Sequence, residues 1–119
     1  MKNKNIFQSI RCALRGMKSG FVTEHNFKIY SVIAAVFLII NIIISAEAYD
    51  YVILTILICF AFAAEYINTA IERICDRFYD KKDNDIEFIK DIGSAVVLIS
   101  GFAFFIGEGI IIISKLLWL

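Results

Sequence analysis

Glu65-Tyr66-Ile67-Asn68-Thr69-Ala70-Ile71-Glu72-Arg73-Ile74-Cys75-Asp76 is where a long apolar run turns polar along one side. At 3.6 residues per helical turn, Glu65, Asn68, Glu72 and Asp76 share one stripe, while Ile67, Ala70, Ile71 and Ile74 cover much of the rest. Carboxylates and an amide on one stripe of a membrane helix are costly, and such groups mark function by default. The structural alternative is that Glu65 and Asn68 bond neighbouring helices while Glu72 and Asp76 form a solvated helix end.

Composition supports the membrane setting. Hydrophobic residues make up 60% of the 119, and the mean hydropathy is +0.75, too apolar for an ordinary soluble domain of this size. The length allows one domain, 1–119, with no proline and no linker-like stretch. Cys12, Cys59 and Cys75 match no C-x-x-C or zinc spacing and read as reduced thiols used as small apolar residues.

Working outward, the pattern predicts an all-α membrane protein. Residues 5–23 repeat Ile6, Phe7, Ile10, Leu14 and Met17 at three- and four-residue steps, with Arg11, Arg15 and Lys18 to the sides. This suits an amphipathic helix in the headgroup layer. Transmembrane helices are expected at about 29–46, 51–72 and 92–117, each long enough to cross ~30 Å of hydrocarbon. The helical pattern of the second runs on to about Phe78, and Tyr79–Glu87 reads as a solvated connection. Asn41 is expected to make an interhelical hydrogen bond. Glu108 lies ~24 Å along the helix from Ile92, near the far interface, and is a weak site candidate. Ala46-Glu47-Ala48 resembles a signal-peptidase site, but the preceding polar region is too long and itself amphipathic, so no cleavage is expected.

Sidedness follows from the basic residues. Lys2, Lys4, Arg11, Arg15, Lys18 and Lys28 precede the first span; Arg73, Arg77, Lys81, Lys82 and Lys90 lie between the second and third. Lys115 alone falls on the other side. The positive-inside rule places the N-terminus and the loop between the second and third spans in the cytoplasm.

With that orientation the polar stripe meets the cytoplasmic interface, where chemistry between a water-soluble donor and a lipid is possible. Burial penalises an ionised carboxylate, which suits Glu65 to the role of general base. Glu24, Glu72 and Asp76 can offer oxygens to Mg²⁺, which prefers carboxylates, waters and phosphates. Lys90, beside a helix N-terminus opened by Asp91-Ile92-Gly93-Ser94, can meet phosphate charge. There is no P-loop and no protein-kinase motif set. The lone His25 excludes an ordinary zinc site, and nothing supports nucleic-acid binding.

These residues resemble the small prokaryotic diacylglycerol kinase family, which includes the undecaprenol kinases. The family pattern E-x-[LIVM]-N-[ST]-A-[LIV]-E-x-x-x-D corresponds to Glu65 through Asp76, and a second block to Ile89-Lys90-Asp91-Ile92-Gly93-Ser94-Ala95. Arg15-Gly16 and Glu24 precede the first span as in the family. The resemblance implies ATP- and Mg²⁺-dependent phosphorylation of a membrane lipid hydroxyl, either diacylglycerol or undecaprenol, by a homotrimer with sites between protomers. It assigns Glu65 and Asn68 to the catalytic centre, Glu24 and Glu72 to the metal, and Glu24, Glu72, Asp76, Lys90 and Asp91 to the nucleotide. Tyr30 departs from the diacylglycerol kinases, which carry an acidic residue there, and Asn26-Phe27-Lys28-Ile29 looks more like the undecaprenol branch, whereas Gly93-Ser94-Ala95 resembles the diacylglycerol branch. The acidic loop (Asp80, Asp83, Asp85, Glu87) is also unusual. From the residues alone, two other classes compete: a small multidrug-type transporter with Glu65 as its coupling carboxylate, and a non-catalytic membrane scaffold.

Overall fold

The computed structural model describes residues 5–79 and 83–118. The basic Lys2, Lys4, Lys81 and Lys82 and the acidic Asp80 lie outside the described residues. Four helices follow in order: α1 (Ile6–Thr23), α2 (His25–Ile43), α3 (Ala48–Phe78) and α4 (Asn84–Leu117). The last three are long and apolar enough to cross a membrane.

Three of these helices, α1, α3 and α4, begin on a side-chain cap. Asn5 caps α1, its side chain accepting from the Gln8 amide at 2.9 Å while Gln8 returns a bond to the Asn5 amide at 3.3 Å. Asp50 caps back onto the Glu47 amide at 2.9 Å where α3 starts. Asp83 accepts from the amides of Asp85 (2.8 Å) and Ile86 (3.3 Å), and the acidic first turn of α4 suits the positive end of the helix dipole. The expected solvated connection is therefore shorter than Tyr79–Glu87, because residues 84–87 are already helical. By the same token Lys90 stands within α4 rather than beside a helix N-terminus, so no terminal amides gather at Asp91-Ile92-Gly93-Ser94. The α2–α3 reversal is closed by the Ala46 amide bonding to the Asn41 carbonyl at 2.9 Å, with Ser45 in the left-handed region at φ 56°.

Side-chain contacts set the arrangement. At one end Asn26 of α2 meets Glu65 of α3, and Asp76 of α3 meets Lys90 of α4. At the other, Asn41 of α2 meets Glu108 of α4, and Lys115 of α4 meets Glu47 and Asp50. The three long helices thus run alternately up and down. Because Glu65 sits level with the first turn of α2, the thirteen residues of α3 beyond it project ~20 Å past that level, paired with the start of α4. The N-terminal helix packs its Gly20 against the ring of Tyr66, whose hydroxyl donates to the Met17 carbonyl at 2.8 Å.

Burial is inverted relative to a soluble protein. Asn41, Asp50, Glu65, Asn68, Ser100 and Glu108 are buried, whereas Ile56, Leu98, Phe102, Ile106 and Ile110 face outward. Helices that hide polar groups from an apolar surround have this distribution, since lipid solvates leucine as well as a protein core does.

Candidate active site

The sequence stripe on α3 becomes a site because α2 and α4 approach it from different sides. Glu65 is 5% exposed. Its Oε1 accepts from Asn26 Nδ2 at 3.1 Å and its Oε2 from the Tyr30 hydroxyl at 3.3 Å, so both oxygens are held by donors from α2. Asn26 and Tyr30 are four residues apart and share a helix face. Neither was among the expected site residues. An i, i+4 polar pair at the start of the first apolar segment is the signal that could have found them, although only the fold reveals their common partner.

One turn along α3, the buried Asn68 donates from Nδ2 to Glu72 Oε1 at 2.9 Å. Among the described residues its Oδ1 has no hydrogen-bond partner, and it lies so near the Cα of Gly93 that a Cβ there would come about 2.5 Å from it. Gly93 is what lets α4 pass this close to the polar stripe. Farther on, Lys90 Nζ is 2.7 Å from Asp76 Oδ1, which ties the start of α4 to the end of α3. Glu24 sits in the α1–α2 junction with a carboxylate oxygen 3.8 Å from Arg73 Nη2. Asp91 is exposed on α4.

The fold therefore brings the residues of the sequence motif together in three linked pairs rather than one cluster: Glu65 with α2, Asn68 with Glu72, and Asp76 with Lys90. Glu24 joins this end through Arg73. Among the described residues no three of His, Cys, Asp and Glu converge as a ready-made metal cage. Mg²⁺ does not require one, because it is commonly held by one or two carboxylates together with water and substrate phosphates. The half-buried Glu72 and Glu24 are hard oxygen donors of that kind.

Asn41 makes the expected interhelical bond, donating to Glu108 Oε1 at 2.7 Å and to the Phe37 carbonyl at 2.8 Å. Both Asn41 and Glu108 are fully buried. They lie at the opposite end of the bundle from Glu65 and take no part in its site.

The family model for prokaryotic diacylglycerol kinase matches residues 11–112. A diacylglycerol kinase of Synechocystis sp. (strain ATCC 27184 / PCC 6803 / Kazusa) is 27% identical over 114 residues, which are 95% of this chain and 65% of that protein. An undecaprenol kinase of Bacillus subtilis (strain 168) is 30% identical over 93 residues, 78% of this chain and 76% of the relative. The chain thus spans a little under two thirds of the Synechocystis protein's length.

Proposed function

As the chain belongs to the prokaryotic diacylglycerol kinase family, we propose that it is a membrane lipid kinase transferring the γ-phosphoryl group of ATP to a lipid hydroxyl. The observation that carries this reading is Glu65, a buried carboxylate oriented through both oxygens and level with the turn where α1 gives way to α2. If α1 lies in the headgroup layer with Arg11, Arg15 and Lys18 toward anionic lipid, that turn marks the cytoplasmic water–lipid boundary. A lipid alcohol reaches this level from the bilayer and a nucleotide from the cytosol.

In this mechanism Glu65 takes the proton of the lipid alcohol as its oxygen bonds to the γ-phosphorus. The bond from that phosphorus to the β–γ bridging oxygen breaks, ADP leaves with the electron pair, and Glu65 later releases its proton to water. Asn68 holds Glu72 in place through their hydrogen bond. Glu24 and Glu72 would hold Mg²⁺, which when bound neutralises charge on the phosphates. Lys90, paired with Asp76, presents a cation to the nucleotide, and Asp91 lies one residue farther along the exposed side. The working unit is a homotrimer in which a neighbouring protomer covers the open side of this site, where Arg73, Asp76 and Asp91 are exposed. Orientation in the inner membrane, with the N-terminus inside, follows from the clustering of basic residues. A transporter or an inert scaffold is not favoured, because the matching family and both relatives carry the name of a lipid kinase.

The test supplies γ-labelled ATP and Mg²⁺ with diacylglycerol or undecaprenol in mixed micelles and identifies the labelled lipid. Labelled phosphatidic acid or undecaprenyl phosphate is expected. Absence of any labelled lipid from folded protein would defeat the proposal.

A further inference from the structure

The two oxygens of Glu65 have unequal partners. Asn26 holds Oε1 at 3.1 Å, an ordinary N–H···O length, whereas the Tyr30 hydroxyl is 3.3 Å from Oε2. That is long for an O–H···O bond, which ordinarily closes to about 2.5–3.0 Å. Oε2 is therefore the oxygen from which a donor can be exchanged at little cost.

Tyr30 also stands at the wall of an apolar cavity of about 140 Å³ between α2, α3 and α4. Ala34, Ala61 and Gly101 leave the space, and Phe62 and Phe104 flank it. Ser100 is the other hydroxyl on the lining, but its proton is turned to the Val97 carbonyl at 2.7 Å. Tyr30 thus links the two: it lines the greasy slot, and its hydroxyl reaches one oxygen of the Glu65 carboxylate. A molecule that fits both features has a hydrocarbon chain and a terminal hydroxyl.

We propose that the Tyr30 hydroxyl occupies the place of the acceptor's alcohol, and that a long-chain alcohol entering the cavity displaces it from Glu65 Oε2. Tyr30 is then a specificity-determining residue: it sets how tightly the acceptor binds without carrying out transfer. The identity of that acceptor as a phosphorylated lipid rests on the kinase reading above. The exchange replaces one hydroxyl on a carboxylate by another, so Glu65 is never left buried without its second donor.

The test has one arm independent of turnover. Full-length protein carrying ¹³Cζ-tyrosine in detergent micelles is titrated with oleyl alcohol or with oleyl methyl ether, the Tyr30 resonance being assigned by its loss in Y30F. A saturable shift with the alcohol and none with the ether is expected. A Tyr30 resonance indifferent to the alcohol, or equally sensitive to the ether, overturns the proposal. In the kinetic arm, Y30F should lower KM for the lipid about three- to tenfold by removing the competing donor, with KM for ATP unchanged. A raised lipid KM overturns it as well. Wild-type protein that phosphorylates no lipid while Tyr30 answers the alcohol sinks the kinase reading alone. An active kinase with a silent Tyr30 sinks the alcohol subsite alone.

Discussion

Replacing Asn41 by leucine is expected to destabilise the bundle more than replacing its partner Glu108 by leucine. The asymmetry comes from what each change leaves behind. In Glu108→Leu, Asn41 Nδ2 keeps its 2.8 Å bond to the Phe37 carbonyl, its Oδ1 has no partner among the described residues even in the wild type, and only the 2.7 Å interhelical bond disappears. Interhelical hydrogen bonds in membrane bundles contribute about 0.6 kcal/mol on average and up to about 1.7. In Asn41→Leu, the fully buried Glu108 loses the donor on Oε1, while Oε2 already has no partner among the described residues. An uncompensated buried carboxyl costs about 1–3 kcal/mol when neutral and about 3–5 kcal/mol when charged. The double variant removes both groups and should fall close to Glu108→Leu alone, giving a coupling of at least ~1 kcal/mol. Reversible unfolding in mixed micelles, followed by circular dichroism, measures all four proteins. Equal costs for the two single variants, or simple additivity in the double, would refute the argument.

Three further outcomes follow from other parts of the fold. Glu72→Gln keeps an acceptor for Asn68 Nδ2 but removes a charge, so the Mg²⁺ concentration for half-maximal activity should rise about tenfold or more; an unchanged dependence would count against Glu72 as a ligand. Ser45→Gly should raise stability by about 1 kcal/mol, because Ser45 pays for a left-handed φ of 56° that glycine adopts freely; denaturant midpoints decide it. The Tyr49 hydroxyl, and after it the Lys115 ammonium, hold the Glu47 carboxyl below its ordinary range. A depressed carboxyl stabilises the fold above its unfolded pKa and loses that contribution as pH falls through the folded value. Wild type should therefore melt above Glu47→Gln at neutral pH, with the gap closing only below about pH 4; a gap that is constant across that range would contradict the contact.

Much of the helical framework and the identity of the polar stripe could be read from residue order, because both are periodic. Glu65, Asn68, Glu72 and Asp76 lie on one helix, and their spacing alone puts them together. What periodicity cannot carry is the partner across the bundle. Asn26 and Tyr30 look like ordinary residues at the start of an apolar helix until α2 packs against Glu65. Glu108, counted along its own helix, approaches the far end of the bundle, but that it turns inward to meet Asn41 is visible only in the fold. The Asp83 cap explains the early start of α4: a run of acids suggests a loop, but one of them can satisfy the first free amides and the others suit the dipole.

The most direct measurement of the central claim compares wild type and Glu65→Gln in the mixed-micelle lipid kinase assay. Glutamine nearly matches glutamate in shape, so the folded, detergent-solubilised assembly should persist. Phosphoryl transfer should fall by about 10²–10⁴-fold with the loss of the proton acceptor. Turnover like that of wild type would show that Glu65 does not act on the lipid alcohol.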